Sequence, residues 1–354
     1  MDGEPAPPSR VKHLRPPAGG NPGWHEACVV RPMSRADRRP IAVKACRRAL
    51  AGLLAWAIAG AASTASAAPT ESASPAQLTA QSPTLRRIAE TGTINLGHRE
   101  SSVPFSYYDQ RRQVVGYSHE LMLKVVDAVR TELKLPALTQ RLVPVTPLNR
   151  IPLVLNGTVD LECGSTSHTA ARERQVAFST SIFVVSTRLL THRGSGIRDV
   201  GDLAGRKVVV TAGTTPERLL RTWNETHGNR IVVVTSRDHA DAYESLRDGK
   251  VHAFMMDDAL LHGMRAQASN PEDWLVTGTP MSTEVYGCMM RRDDPVFKAL
   301  VDRTLTRLLT SGEAMKIYTR WFQKPIPPKG LNLNWPPSEA LLRLYQQPND
   351  QALN

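Results

Sequence analysis

Residues 160–179 have the sequence DLECGSTSHTAARERQVAFS, which leads from the end of one predicted buried strand to the start of another. The chain turns at Gly164 and then presents three hydroxyl side chains in a row, with Arg172 about one helical turn further on. Hydroxyls, backbone N–H groups and an arginine fork together suit a small anion. The alternative is an ordinary strand–turn–helix connection capped by Ser or Thr. Taken alone, this stretch favours that alternative.

Predicted strands and helices alternate along the rest of the chain. Apolar runs bounded by turn residues predict strands at 93–97, 138–145, 159–163, 207–210, 231–234 and 252–256. Helices are predicted between them, so the order strand–helix–strand–helix–strand occurs twice. Two long apolar strands, at 181–191 and 284–290, separate the repeats and are predicted to cross between them. The prediction is an α/β protein with two lobes, parallel sheets and a ligand cleft at the carboxyl ends of the strands.

The domain boundaries follow from these elements and from composition. A length of 354 residues allows two domains with separate cores. We expect a leader at 1–67 and a flexible linker at 68–82, which is rich in Ala, Ser, Thr, Pro and Gln. The first lobe is expected to comprise 83–185 and 284–354, and the second lobe 186–283.

The leader has the three parts of a secretory signal peptide. Basic residues at 44–48 precede the apolar run ALAGLLAWAIAGAA at 49–62, and small residues at 65–67 form a cleavage site. The apolar run is shorter than a comfortable membrane-spanning helix. Met33 begins a signal peptide of ordinary length, so we expect it to be the true start and 1–32 to be an upstream extension of the reading frame.

The net charge of +11 does not indicate a nucleic-acid-binding protein. Residues 1–67 contain ten basic and four acidic side chains, which leaves a charge of +5 on the other 287 residues. Acids and bases alternate in that part, without a dense basic run or a nucleic-acid motif. A mild positive excess fits an anionic small ligand at least as well.

The cysteines indicate a disulfide and not a metal site. Cys28 and Cys46 lie in the leader, and Cys163 and Cys288 are the pair that the mature chain keeps. An even pair in an exported protein suggests a disulfide. Neither cysteine belongs to a CxxC motif or a Cys/His cluster, so no metal is expected.

Polar side chains cluster at the carboxyl ends of the predicted strands, and Arg150 opens a helix. The candidate binding residues are Arg99, Arg150, Ser165, Ser167, Arg172, Thr215, His239 and Asp257. Arginine forks, hydroxyls and one carboxylate complement a ligand with two carboxylates and one ammonium group. Taken singly, several have ordinary alternatives: surface ion pairs for Arg99 and Arg150, and an exposed position for His239. Thr215 and Asp257 could be helix-capping residues. The shared placement of the candidates favours a site.

Catalytic motifs are not apparent in the sequence. It has no GxSxG elbow, no HExxH motif and no Walker loop. Gly213 stands alone in a hydroxyl-rich turn and does not form a phosphate-binding fingerprint. We therefore expect a binding protein without a cofactor and not an enzyme.

Several motifs resemble the periplasmic glutamate/aspartate-binding proteins of ABC transporters. They are GHRESSVPFSYY at 97–108, NRIPL at 149–153, ECGST at 162–166, FMMDDAL at 254–260 and YGCM at 286–289. The likeness extends from about residue 85 to the C-terminus, and its motifs are long and specific. The resemblance implies a periplasmic monomer with two α/β lobes, a two-strand hinge and closure over the ligand. It further implies that L-glutamate or L-aspartate is delivered to an inner-membrane ABC permease.

The resemblance also implies roles for the candidate residues. Arg99, Arg150 and His239 would face the side-chain carboxylate of the ligand. The α-carboxylate would be held by Ser165, Ser167, Arg172 and Thr215, and Asp257 would take the α-ammonium group. Cys163 and Cys288 would be adjacent and disulfide-bonded.

Two positions depart from the family pattern. Ser167 stands where the family tends to have Thr, which keeps the hydroxyl. Pro147 stands where relatives carry a Ser that can reach the ligand, so the affinity or the preference between glutamate and aspartate is expected to differ. An alternative from another class is a periplasmic enzyme on the same scaffold, similar to cyclohexadienyl dehydratase, in which His239 or Asp257 would act as a general acid.

Overall fold

The computed structural model of the protein describes residues 73–353. The predicted signal peptide, the predicted start at Met33 and the first residues of the predicted linker lie outside this range. Part of the predicted linker is helical, over Pro75–Gln81. The helix forms there because the side chains of Ser74 and Gln77 make a capping box, and Leu78 is buried.

Helices and strands alternate as the sequence predicts. The helices are α1 (Pro75–Gln81), α2 (Pro83–Thr91), α3 (Tyr117–Glu132), α4 (Arg150–Leu155), α5 (Ala170–Glu173), α6 (Thr215–Thr226), α7 (His239–Arg247), α8 (Asp258–Gln267), α9 (Pro295–Thr310), α10 (Glu313–Phe322) and α11 (Glu339–Gln346). The strands are β1 (Thr93–His98), β2 (Ser101–Ser102), β3 (Ser106–Tyr108), β4 (Val114–Val115), β5 (Thr139–Pro144), β6 (Leu161–Glu162), β7 (Ala177–Phe178), β8 (Phe183–Val185), β9 (Thr187–His192), β10 (Lys207–Thr211), β11 (Val232–Ser236), β12 (Ala253–Asp257), β13 (Trp274–Thr277), β14 (Glu284–Tyr286) and β15 (Met289–Met290). No helix within 73–353 is both long and apolar enough to cross a membrane.

Two five-stranded sheets form the centres of the two α/β lobes. Their strand orders are β5-β1-β6-β15-β7 in the first lobe and β11-β10-β12-β9-β13 in the second. One strand in each sheet is antiparallel to its neighbours, β15 in the first and β9 in the second. The prediction of parallel sheets is wrong for these two strands. Each enters its sheet directly from a crossover strand, without the helix that a parallel connection usually needs.

The two crossovers form a two-stranded ladder of their own. The predicted long strand at 181–191 is divided at Ser186 into β8 and β9, and the strand predicted at 284–290 is divided at Gly287 and Cys288 into β14 and β15. β8 and β14 pair in antiparallel fashion, with Val184 opposite Val285. The lobe boundaries at residues 186 and 283 stay a prediction.

Aromatic packing and the disulfide hold the crossovers against the first lobe. Phe105 makes edge-to-face contacts with Phe183 of β8 and Tyr286 of β14, at ring-centre distances of 4.8 and 5.1 Å. Cys163, just after β6, is disulfide-bonded to Cys288, just before β15, which confirms the expected pairing. The disulfide therefore covalently joins the ends of two neighbouring strands of the first sheet, β6 and β15.

Candidate ligand-binding site

The candidate residues lie at the ends of strands, where parallel α/β sheets place their ligands. Arg99 directly follows β1, and residues 163–167 follow β6 in the adjacent position of the first sheet. In the second lobe, Thr215 lies after β10 and His239 after β11, while Asp257 is the last residue of β12. The topology thus brings side chains from distant parts of the sequence to facing edges of two sheets.

Arg99 is wholly buried, and only one of its guanidinium nitrogens has a protein partner. Nη2 donates to Oδ2 of Asp238 at 3.3 Å, whereas Nε and Nη1 have no partner among residues 73–353. Burial lowers the pKa of Arg99, and the charges of Asp238 and Glu162 oppose that shift. The alternative of a surface ion pair is therefore wrong for this residue.

Arg150 is the first residue of α4 and lies in a buried chain of polar groups. Its Nη1 donates to the hydroxyl of Thr166 at 2.5 Å, and that hydroxyl donates to Oε2 of Glu162 at 3.0 Å. Nε of Arg150 and Oε1 of Glu162 have no partner in the described chain. Burial and the like charge of Arg172 hold the pKa of Arg150 well below its ordinary value. Arg150 is thus buried and not on the surface.

His239, the first residue of α7, is buried and not exposed. Its Nδ1 lies 2.8 Å from the hydroxyl of Thr211, and its Nε2 has no partner within 73–353. Burial and then the charge of Arg99 lower the pKa of His239 to about 3, so the ring is neutral at neutral pH. A neutral ring that accepts from Thr211 at Nδ1 carries its proton on Nε2 and can donate it to a ligand.

Arg172 connects the two lobes through backbone carbonyls. Nη1 donates to the carbonyl oxygen of Ser167 at 2.8 Å, and Nη2 donates to that of Gly213 at 3.1 Å. Gly213 lies two residues before Thr215, the first residue of α6, which is buried. Ser165 is buried as well, and its hydroxyl donates to that of Ser102 at 3.2 Å. Arg172 therefore bonds the backbone of both lobes next to Ser167 and the N-terminus of α6.

Asp257 occupies the N-cap position of α8 but makes no capping hydrogen bond with its side chain. The capping alternative is wrong because Asp258 accepts the backbone N–H groups of Ala259 and Ser186 instead. Oδ2 of Asp257 accepts from the hydroxyl of Tyr286, and Oδ1 has no partner among the described residues. Burial and the nearby Glu284 raise the pKa of Asp257 well above its ordinary value.

Unpartnered polar atoms are concentrated here. Native structures leave few buried polar atoms without a hydrogen bond, so such a set indicates a ligand. The atoms are Nε and Nη1 of Arg99, Nε of Arg150, Nε2 of His239, Oε1 of Glu162, Oδ1 of Asp257 and Oε2 of Glu284. Donors come from arginine and histidine, while the acceptors are carboxylates. Among residues 73–353, no group of three His, Cys, Asp or Glu side chains is arranged to hold a metal ion.

Sequence reasoning missed three acidic side chains of this site, those of Glu162, Asp238 and Glu284. Glu162 is charged yet falls in a strand predicted to be buried, a pattern that could have marked it. Asp238 directly precedes His239 and begins the helix that the sequence predicts at 238–247, without a predicted role in the site. Its partner Arg99 lies 139 positions away, which no local pattern reveals.

Comparisons with known proteins identify the family of the chain. Residues 94–324 match the family described as bacterial extracellular solute-binding proteins, family 3. The chain is 50% identical over 275 residues to the glutamate/aspartate import solute-binding protein of Escherichia coli, covering 78% of this chain and 91% of that protein. It is 53% identical over 270 residues to the L-glutamate/L-aspartate-binding protein of Pseudomonas aeruginosa, covering 76% and 89%.

Solved structures support the same fold. The holo form of ArgBP from T. maritima aligns with a TM-score of 0.57 at 22% identity, covering 66% of this chain and 98% of that one. A substrate-binding protein of an ABC uptake transporter from Streptococcus pneumoniae, with bound histidine, aligns with a TM-score of 0.61 at 19% identity, covering 68% and 97%. The relatives at about 50% identity are transport-binding proteins, which does not favour the alternative of an enzyme. The chain belongs to family 3 of the bacterial extracellular solute-binding proteins, with the two-lobed periplasmic binding protein fold.

Proposed function

We propose that the protein binds L-glutamate and L-aspartate between its lobes and delivers them to an inner-membrane ABC permease. The observation that carries the proposal is the set of buried polar atoms without a hydrogen-bond partner among residues 73–353. The basic donors of this set can bind carboxylates, and the carboxylate of Asp257 can bind an ammonium group. A dicarboxylate amino acid supplies two anionic groups and one cationic group in a single small molecule. The names of the two relatives that match over most of their length agree with that ligand.

The side-chain carboxylate of the ligand is assigned to Arg99, Arg150 and His239. Each has a buried nitrogen without a hydrogen-bond partner among residues 73–353, and the charges of Arg99 and Arg150 both act on the imidazole of His239. A neutral histidine and two guanidinium groups can donate to one carboxylate together. Pairing with an anion also compensates the burial of the two arginines.

The backbone end of the ligand is assigned to the remaining candidates. Its α-carboxylate would be held by Ser165, Ser167, Arg172 and Thr215, of which Arg172 already reaches into both lobes. Its α-ammonium group would donate to Oδ1 of Asp257. A cation there opposes the effect of burial on that carboxylate and keeps it ionised. The proline at position 147 offers no side-chain donor, so the preference between glutamate and aspartate depends on the other groups.

The protein is proposed to act as a monomer in the periplasm. The predicted signal peptide at 44–67 supports export, and the family is one of extracellular solute-binding proteins. The disulfide between Cys163 and Cys288 fits an oxidising compartment.

Calorimetric titration with glutamate, aspartate, glutamine and asparagine tests the proposal. We expect both acids to bind and the amides to bind at least about 30-fold more weakly, because a neutral amide leaves buried charges unpaired at a cost of about 2 kcal/mol or more. Glutarate, which keeps both carboxylates but lacks the ammonium group, is expected to bind weakly because Asp257 stays unpaired. Equal binding of acids and amides, or no binding of the acids, would refute the proposal.

A further inference from the structure

Asp238 joins the two lobes with a single carboxylate. It lies after β11 of the second lobe, where Oδ1 accepts from the backbone N–H of Ala240 at 3.0 Å and caps α7. The same oxygen accepts from the hydroxyl of Ser101, and Oδ2 accepts from Nη2 of Arg99. Both of these partners belong to the first lobe, just after β1. Only 17% of the Asp238 side chain is exposed, so the contact is largely desolvated.

The contact with Asp238 fixes the direction in which Arg99 presents its other donors. A guanidinium group is planar and rigid, so holding Nη2 determines where Nε and Nη1 point. Those two nitrogens are the ones without a hydrogen-bond partner in the part of the chain that the structure describes. His239 directly follows Asp238 and begins α7, and its Nε2 likewise has no partner there. The capping residue of α7 therefore sets the geometry of a donor group built from both lobes.

The contact exists only while the lobes are together. Arg99 and Ser101 belong to the first lobe, whereas Asp238 and His239 belong to the second. The charge of Asp238, and to a smaller extent that of Glu162, opposes the lowering of the Arg99 pKa by burial. Separation of the lobes would remove Asp238 from Arg99. The ion pair between Arg99 and Asp238 thus stabilises the closed form and not the open form.

We propose that Asp238 is a positioning residue that aligns Arg99 for the carboxylate of the ligand when the lobes close, and thereby slows release of the ligand. The inference rests on the proposed function. The simpler view is that Asp238 only caps α7, as Asp often does. The two views differ in which step of binding the side chain affects.

Substitutions at this position can separate capping from alignment. Asp238→Ser keeps a good capping residue but is too short to reach Arg99. Asp238→Asn keeps the size and the cap while it removes the charge. The matched control is Asp241→Asn, which makes the same charge change on the same helix, where Asp241 faces Arg237 of its own lobe at 3.8 Å.

The experiment measures glutamate association and dissociation by stopped-flow fluorescence, with circular dichroism to verify folding. We expect the dissociation rate constant to rise at least about tenfold in Asp238→Ser and to rise in Asp238→Asn, because loss of a buried charge pair acts on release. The association rate constant is expected to stay within about twofold of wild type, and Asp241→Asn to match wild type in both.

Two results would overturn the inference, and they are distinguishable. Wild-type protein that binds glutamate while folded Asp238→Ser and Asp238→Asn release it at the wild-type rate would refute the role of Asp238 alone. Wild-type protein that does not bind glutamate would refute the proposed function, and this inference with it. If Asp238→Ser fails to fold, the rate measured for Asp238→Asn decides.

Discussion

Arg99 is a buried cation whose guanidinium group is only partly paired within the protein. One nitrogen contacts Asp238, and two have no partner in the described chain. We expect Arg99→Ala to weaken glutamate binding by roughly 2–5 kcal/mol, because truncation of one side of a buried charge pair leaves the other side unpaired. Calorimetry with Arg206→Ala, away from the site, as the control measures this. Wild-type affinity in Arg99→Ala would exclude Arg99 from the site.

His239 makes stability depend on pH in a defined direction. Its pKa is about 3 in the folded protein and near 6.5 when unfolded, so its contribution is present above pH 6.5 and is lost as the pH falls towards 3. We expect the free energy of unfolding to fall by up to about 1.4 kcal/mol per pH unit from this residue between pH 6 and 4. Urea unfolding of wild type and His239→Gln at pH 6, 5 and 4 measures it. The same pH dependence of the free energy of unfolding in wild type and His239→Gln would contradict a neutral, buried ring at position 239.

The sequence predicts well which polar residues follow the ends of strands. Arg99, Ser165, Thr215 and Asp257 follow apolar runs whose ends are visible in the sequence, and the structure places them at facing sheet edges. Asp238 could not be found in this way, because its role depends on a partner contributed by the other lobe. The pairing arises only from the packing of the lobes.

At the scale of elements, one carboxylate organises the starts of two helices. Asp294 is wholly buried, and it accepts from the hydroxyl of Ser82 at 2.7 Å, from the N–H of Thr84 at 2.8 Å and from the N–H of Phe297 at 3.0 Å. These bonds join the N-termini of α2 and α9, which lie more than 200 positions apart in sequence.

We expect Asp294→Ala to lower the free energy of unfolding by about 2–4 kcal/mol, since three buried donors lose their acceptor. The neighbouring Asp293→Ala is the control, because Asp293 is exposed and is expected to change stability by less than about 0.5 kcal/mol. Denaturant unfolding measures both. Similar losses in the two variants would contradict the shared cap.

Element boundaries show where local patterns stop being informative. The apolar run at 181–191 predicts one strand, yet the structure divides it at Ser186 between the crossover ladder and the second sheet. Both halves are largely buried, so hydrophobicity does not change at the division. The helix at Pro75–Gln81 was also missed, since a composition typical of linkers concealed its capping box.

At the scale of the whole molecule, Gly213 lies at a close approach of the two lobes. A Cβ atom there would lie 2.9 Å from Cδ2 of Leu148 and 3.1 Å from the carbonyl oxygen of Pro147, on the other side of the cleft. Gly205 has a similar positive φ, +73° against +76°, but a Cβ there would meet nothing within 4 Å. The two glycines therefore differ in their surroundings and not in backbone strain.

We expect Gly213→Ala and Gly205→Ala to lose similar stability, about 1 kcal/mol each from the left-handed conformation. Only Gly213→Ala is expected to weaken glutamate binding, by roughly tenfold or more, because its methyl group obstructs closure. Thermal unfolding and calorimetry on both variants measure these effects. Equal affinities of the two variants for glutamate would show that the closed form has room for a methyl group at position 213.

The disulfide encloses nearly all of the second lobe within one loop. Cys163 and Cys288 are 125 positions apart, and the whole second sheet lies between them. We expect the double variant Cys163→Ala/Cys288→Ala to lower the free energy of unfolding by about 3–5 kcal/mol. Without the crosslink the unfolded chain gains conformational entropy, and this gain is large because the closed loop is long. Urea unfolding measures it, with Cys163→Ala alone as the comparison. A loss of less than about 1 kcal/mol in the free energy of unfolding of the double variant would contradict a stabilising role of the disulfide.

The central claim is that buried, unpartnered groups of both lobes together hold a dicarboxylate amino acid. A crystal structure of the protein grown with glutamate tests it most directly. We expect one glutamate between the lobes, with its side-chain carboxylate at Arg99, Arg150 and His239 and its ammonium group at Oδ1 of Asp257. Glutamate bound elsewhere, or in the reverse orientation with its ammonium group away from Asp257, would contradict this claim.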